Sequence, residues 1–179
     1  MEIDLKKIRM LSKKKWDENW KFRSFLKGYD ITIEELDAIV HKFYEQVSSE
    51  IDCTVCANCC KQVTLILDQE DIERLSDSTG ISISQFKKQY LVEDENGEEC
   101  RFNTRPCPFL RNNLCTQYDR RPKDCHSFPH LHKPEFVFRL INVIKNCSIC
   151  PIVFNVYEYL KAEVWHHDNF DNLTDFDWL

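Results

Sequence analysis

Ten cysteines in a chain of 179 residues constrain this protein more than any other feature of its sequence. Four of them are concentrated in the string Cys53-x2-Cys56-x2-Cys59-Cys60. So many thiols are typical either of disulfides in an oxidising compartment or of metal-binding thiolates in a reducing one. Adjacent cysteines suit disulfides poorly, because a bond between Cys59 and Cys60 would close a strained ring. We therefore expect these four residues to form the nucleus of a metal site.

Composition and charge restrict the class of protein further. The N-terminus carries Glu2 and Asp4 where a signal peptide needs positive charge followed by an apolar run, so we expect a cytoplasmic location. No apolar stretch is long enough to cross a bilayer. The net charge of −6 gives no general attraction to nucleic acid or to an anionic membrane, and we predict neither as a partner. The three glycines form no phosphate-binding motif.

The spacing within the nucleus indicates the kind of metal. Two residues between cysteines allow a tight turn to direct both sulfurs at one metal. Bacterial iron–sulfur proteins use C-x2-C-x2-C together with a distant cysteine that proline often follows, as Cys150-Pro151 would supply here. Cys59 and Cys60 are expected to point in different directions, so that both bind only at a polynuclear site or at two neighbouring sites. An iron–sulfur cluster is the preferred cofactor and zinc is the alternative, because thiolates suit both.

Further cysteine motifs carry a resemblance to a known family. Cys107-Pro-Phe-Leu, the segment from Cys115 to Cys125 and Phe128-Pro129 follow the CxxCxxCC string. Together they resemble the YkgJ-type cysteine-cluster family, which is described as zinc- or iron-chelating and is similar to part of the flagellin lysine N-methylases. The resemblance covers about Cys53 to Pro151. It implies eight metal ligands, which are Cys53, Cys56, Cys59, Cys60, Cys107, Cys115, Cys125 and Cys150.

Several positions depart from the family pattern. His126 stands where the family usually has arginine, and isoleucine follows Cys150-Pro151 where the family often has glycine. Cys100 and Cys147 are additional cysteines, and Cys147 could take the place of Cys150 as the last ligand. Arg121, which the resemblance includes, is the cation that we most expect to offset thiolate charge.

The predicted fold class is α+β, mainly helical, with short strands and an irregular cysteine core that the metal organises. Capping boxes at Thr32 and Ser82 predict the starts of two helices. Asn112-Asn113 predicts a hairpin turn, and the β-branched and aromatic residues of 136–144 predict a strand. We divide the chain into an N-terminal helical extension (1–50), a cysteine-cluster metal-binding domain (51–165) and an acidic C-terminal tail (166–179).

The predicted function is that of a metal-binding protein with a redox, electron-transfer or structural role. One alternative is a methylase-like enzyme that the cluster supports, although no glycine-rich cofactor site or catalytic set stands out. Another is a metal-handling protein that delivers metal to an unknown protein client, which would bind the basic N-terminal arm or the acidic tail. For the arm, residues 6–27, we favour instead an amphipathic helix that packs its aromatic residues on the domain, where the acidic tail could pair with it. His130-x-His132 and His166-His167 are weaker candidates as metal ligands.

Overall fold

The computed structural model describes residues 1–97 and 99–165. It is 63% helical with a few short antiparallel strands, which confirms the mainly helical α+β class. The described chain forms two compact units, a helical unit (1–52 and 129–165) and a cysteine unit (53–128). The predicted tail, 166–179, and His166-His167 lie outside the described residues, and the three-part domain division stays a prediction. Within the described ranges, no helix has the length and apolar character needed to cross a membrane.

The elements are short and mostly helical. The helical unit begins with α1 (Leu5–Lys14), α2 (Trp16–Gly28) and α3 (Ile33–Glu50). The cysteine unit contains α4 (Cys53–Cys56), α5 (Asn58–Gln62), β1 (Ile66–Leu67), α6 (Gln69–Thr79), α7 (Ile83–Tyr90), β2 (Leu91–Glu93), β3 (Cys100–Phe102), β4 (Leu110–Arg111), β5 (Leu114–Cys115), a 3-10 turn (Tyr118–Arg120) and α8 (Lys123–Ser127). The helical unit resumes with a 3-10 turn (Phe136–Arg139), α9 (Leu140–Asn146), α10 (Pro151–Leu160) and a π-helical turn (Lys161–Trp165).

Side chains at the helix ends explain where the helices begin and stop. Both predicted capping boxes form, because Thr32 and Ser82 each accept a hydrogen bond from the backbone N–H three residues later. Asp68 accepts from the N–H of Asp71 at the start of α6. Gly80 ends α6 with φ of 70°, a left-handed conformation that glycine adopts without a steric cost.

The core of the helical unit is built around α10. Every residue from Pro151 to Tyr157 is buried, and α10 packs mainly against α3. Lys161, which is 1% exposed, is compensated by ion pairs with Glu18 and Glu158, both at 2.5 Å. A buried lysine needs such partners because an unpaired charge in the interior is strongly unfavourable.

The strand predicted for 136–144 is wrong, because this segment forms the second 3-10 turn and α9. Asp37 on α3 is buried, and its carboxylate accepts hydrogen bonds from the backbone N–H groups of Glu135 (2.5 Å) and Phe136 (2.8 Å). These long-range contacts hold the first turn in a helical conformation. The buried residues then recur at helical spacing, at Phe136, Leu140, Val143, Ile144 and Cys147.

We expect Asp37→Ala to lower the free energy of unfolding by about 3 kcal/mol, because the N–H groups of Glu135 and of buried Phe136 both lose a charged acceptor. Urea unfolding monitored by circular dichroism measures this loss. Glu45→Ala, at an exposed position on the same helix, is the matched control and should change stability little. Equal effects of the two substitutions would contradict the capping role of Asp37.

The cysteine unit combines a small apolar core with two small sheets. The strands β1, β3 and β2 form one antiparallel sheet in that order, and β4 pairs with β5. Asn112 and Asn113 connect β4 to β5 with φ of 50° and 63°, as their predicted hairpin turn requires. The apolar core consists of Leu67, Ile72, Leu75, Phe86, Leu91, Cys100 and Phe109. Cys100 is therefore part of this core.

Candidate metal centre

The CxxCxxCC string folds into two short helical turns that a reversal separates. Cys53–Cys56 forms α4, Ala57 adopts a left-handed conformation (φ 47°), and α5 carries Cys59 and Cys60. The N–H of Ala57 donates to the carbonyl oxygen of Cys53 at 3.0 Å, which closes the first turn. The reversal brings the two halves of the motif close together in space.

Cys59 and Cys60 do not diverge as the sequence led us to expect. Their Sγ atoms lie 4.0 Å apart. In a tetrahedral zinc–thiolate site with Zn–S of about 2.3 Å, neighbouring sulfurs lie about 3.8 Å apart. Two adjacent cysteines can therefore ligate one ion in this conformation.

Three cysteines from later in the chain lie near Cys60. Cys107 follows β3, and its N–H donates to the carbonyl oxygen of Cys60 at 2.8 Å. Cys115 ends β5, and Cys125 lies on α8. We call Cys60, Cys107, Cys115 and Cys125 the thiol quartet, because each of them interacts electrostatically with the other three.

The four thiols of the quartet differ in acidity. The thiol of Cys60 is acidic, whereas the other three are weakly acidic. Hydrogen bonding with Cys59 is the largest cause that lowers the pKa of Cys60, to about 7. Burial raises the pKa of Cys107 to about 11 and that of Cys125 to about 12, and the neighbouring cysteines raise both further. Burial also raises the pKa of Cys115. A bound cation would lower the pKa values of all four thiols, because metals ligate the thiolate.

Two adjacent cavities give access to these sulfurs. The larger, of about 410 Å³, is lined by Cys53, Cys59, Cys60, Cys115 and Cys125 together with Tyr118, Arg121 and His126. The smaller, of about 30 Å³, is lined by Cys59, Cys60, Cys107 and Cys125 together with apolar residues, two threonines and Arg105. Cys59, Cys60 and Cys125 thus border both cavities. Soft sulfur donors of this kind suit zinc and iron, so the residues present fit the chemistry of either metal.

The remaining candidate ligands are placed differently. Cys56 lies on α4 and lines neither of these two cavities. Cys147 and Cys150 are both buried in the helical unit, and Cys150 directly precedes α10. Which of these two cysteines is the eighth ligand stays a prediction. In the described part of the chain, no group of three or more cysteine, histidine or acidic residues is arranged to hold a single ion.

Comparison with known proteins agrees with the resemblance read from the sequence. A family model named CxxCxxCC, with the description "Putative zinc- or iron-chelating domain", matches residues 52–151, which is more than half of the chain. Searches of the curated proteins and of the solved structures gave no match.

Proposed function

Because this chain belongs to the CxxCxxCC family of zinc- or iron-chelating domains, we propose that its cysteine unit holds an iron–sulfur cluster with a redox or electron-transfer role. The family match supports metal binding, with zinc or iron as the metal. When bound, such a cluster supplies one-electron redox chemistry.

The observation that carries the proposal is the convergence of the thiol quartet. Its members come from α5, from the loop after β3, from β5 and from α8, and they interact with one another beside the two cavities. Any single buried cysteine is adequately explained as a small apolar side chain, as Cys100 is. Four mutually interacting thiols with Cys59 next to them provide as many sulfur ligands as a tetrahedral site or a cluster needs.

The spacing of the nucleus favours a cluster over a single zinc ion, because C-x2-C-x2-C is the spacing of bacterial iron–sulfur proteins. We propose the quartet as the principal ligands and Cys53, Cys56 and Cys59 as additional ones, with Cys150 remaining the eighth ligand that the family resemblance implies.

Zinc is the second candidate, and one specific distance favours it. The 4.0 Å between the Sγ atoms of Cys59 and Cys60 is close to the sulfur separation of a tetrahedral zinc site. With zinc, the role would be structural, because zinc has no redox chemistry in proteins. The methylase-like and metal-handling functions stay predictions from the sequence.

Anaerobic purification followed by iron, zinc and acid-labile sulfide analysis tests the proposal. We expect about four iron and four sulfide per chain and a broad absorption near about 400 nm that dithionite bleaches, as for a 4Fe–4S cluster. One or two zinc ions per chain without sulfide would exclude the cluster and support the structural zinc site. A chain without either metal would overturn both.

A further inference from the structure

Arg121 occupies a fixed position at the wall of the larger cavity. Its guanidinium carbon lies 3.9 Å from the centroid of the Tyr118 ring, which is a close cation–π contact. Its backbone is held as well, because Arg74 donates hydrogen bonds to the carbonyl oxygens of Arg120 (3.2 Å) and Arg121 (3.1 Å). Arg74 is itself ion-paired with Asp71. The cation is therefore positioned from both its side chain and its backbone.

Arg121 lines the larger cavity together with three members of the thiol quartet, Cys60, Cys115 and Cys125. Its guanidinium charge therefore lies at the same cavity that these sulfurs border. The buried Nε of Arg121 has no hydrogen-bond partner among the described residues. A buried N–H without a partner is unfavourable, so this donor lacks an acceptor that a bound group would supply.

Metal-bound thiolates carry the negative charge that would make them a partner for the Arg121 guanidinium. Four thiolates on a zinc ion or on a 4Fe–4S core carry about two excess negative charges. In a partly buried site this excess is unfavourable unless a cation or hydrogen-bond donors compensate it. Guanidinium is suited to the task, because it is permanently charged and presents several N–H donors in one plane.

We infer that Arg121, oriented by Tyr118, is the positioning residue that compensates the negative charge of the metal-bound thiolates. This inference rests on the proposed function and extends it to a residue that does not ligate the metal. The added electron of a reduced cluster increases the negative charge, so a nearby cation favours the reduced state. Arg121 therefore strengthens metal binding and, with a cluster bound, raises its reduction potential.

The test compares Arg121→Gln and Arg121→Lys with Arg120→Gln. Arg120 is exposed and adjacent in sequence, so its substitution removes the same charge from the neighbouring position and serves as the matched control. Zinc affinity is measured for all variants by competition with a chromophoric chelator. We expect Arg121→Gln to bind zinc at least about tenfold more weakly. Arg120→Gln should match the wild type, and Arg121→Lys should recover much of the affinity because it restores the charge.

A redox titration provides the second readout wherever the purified protein carries a cluster. The midpoint potential should be lower in Arg121→Gln than in the wild type and unchanged in Arg120→Gln. A purely structural role of Arg121 would alter yield or stability and leave the potential of the loaded protein unchanged. Circular dichroism spectra of the variants verify that each remains folded.

The outcomes separate this inference from the proposed function. Equal zinc affinity and equal potential in Arg121→Gln and Arg120→Gln would overturn the role of Arg121 while leaving metal binding intact. Loss of binding in Arg121→Gln that Arg121→Lys does not restore would also overturn it, because charge would then not be the cause. A wild-type chain that binds neither zinc nor iron would overturn the proposed function and this inference with it.

Discussion

Serine in place of any single member of the thiol quartet should reduce the metal content of the purified protein to less than about a tenth of the wild-type value. Serine preserves the size of the side chain, but its hydroxyl is not ionised near neutral pH and is a poor ligand for zinc or iron. Each member of the quartet comes from a different part of the chain, so a lost sulfur is not replaced by a sequence neighbour within the quartet. Cys107→Ser and Cys125→Ser are the sharpest cases, since both thiols are half-buried and burial raises their pKa values.

Metal content per chain, measured after anaerobic gel filtration, is the readout for these variants. Cys100→Ala is the matched control, because Cys100 lies in the same unit and is buried, yet belongs to the apolar core. It should retain the full metal content despite some loss of stability. Full metal in Cys107→Ser and Cys125→Ser, or an equal loss in Cys100→Ala, would contradict the assignment of the quartet.

Removal of the metal should unfold much of the cysteine unit and leave the helical unit folded. Helices α4, α5 and α8 contain only four or five residues, and isolated helices of that length are unstable in water. The strands are two or three residues long, and they add little stability by themselves. Metal binding contributes about 10–16 kcal/mol in small zinc domains, so its loss should exceed what this unit can tolerate.

Hydrogen exchange followed by mass spectrometry, with and without a chelator, measures this effect in each unit separately. Amides in 53–62 and 107–127 should lose most of their protection when the metal is removed. Amides in α10 should exchange as slowly as before, because that helix is buried in the helical unit and provides an internal control. Unchanged protection throughout the cysteine unit would show that its fold does not depend on metal.

Local signals in the sequence were sufficient to predict much of the fold. Capping boxes predicted the starts of α3 and α7, because the side chains that begin these helices lie within the same few residues. The Asn112-Asn113 turn was predictable for the same reason. The segment 136–144 was not, because its β-branched and aromatic composition favours a strand while the long-range cap from Asp37 favours a helix.

The candidate site was only partly accessible to sequence reasoning. The CxxCxxCC string and the family resemblance identified the cysteines, because sulfur ligands and their spacing are visible in one dimension. The short distance between the Sγ atoms of Cys59 and Cys60 was not predictable. The helix that carries them begins after Ala57, which has a left-handed conformation that alanine rarely adopts. The four cysteines of the quartet could be identified only from the positions of elements that are distant in the chain. The contact between Tyr118 and Arg121 likewise became apparent only in the structure.

X-ray absorption at the zinc or iron edge of the anaerobically purified protein tests metal binding by the cysteines most directly. Four sulfur neighbours at about 2.3 Å from each metal atom are expected for either zinc or a 4Fe–4S cluster. In the Cys107→Ser with Cys125→Ser double variant, this sulfur shell should be lost together with the metal. A first shell of nitrogen and oxygen in the wild type, or a sulfur shell that persists in the double variant, would contradict the proposed centre.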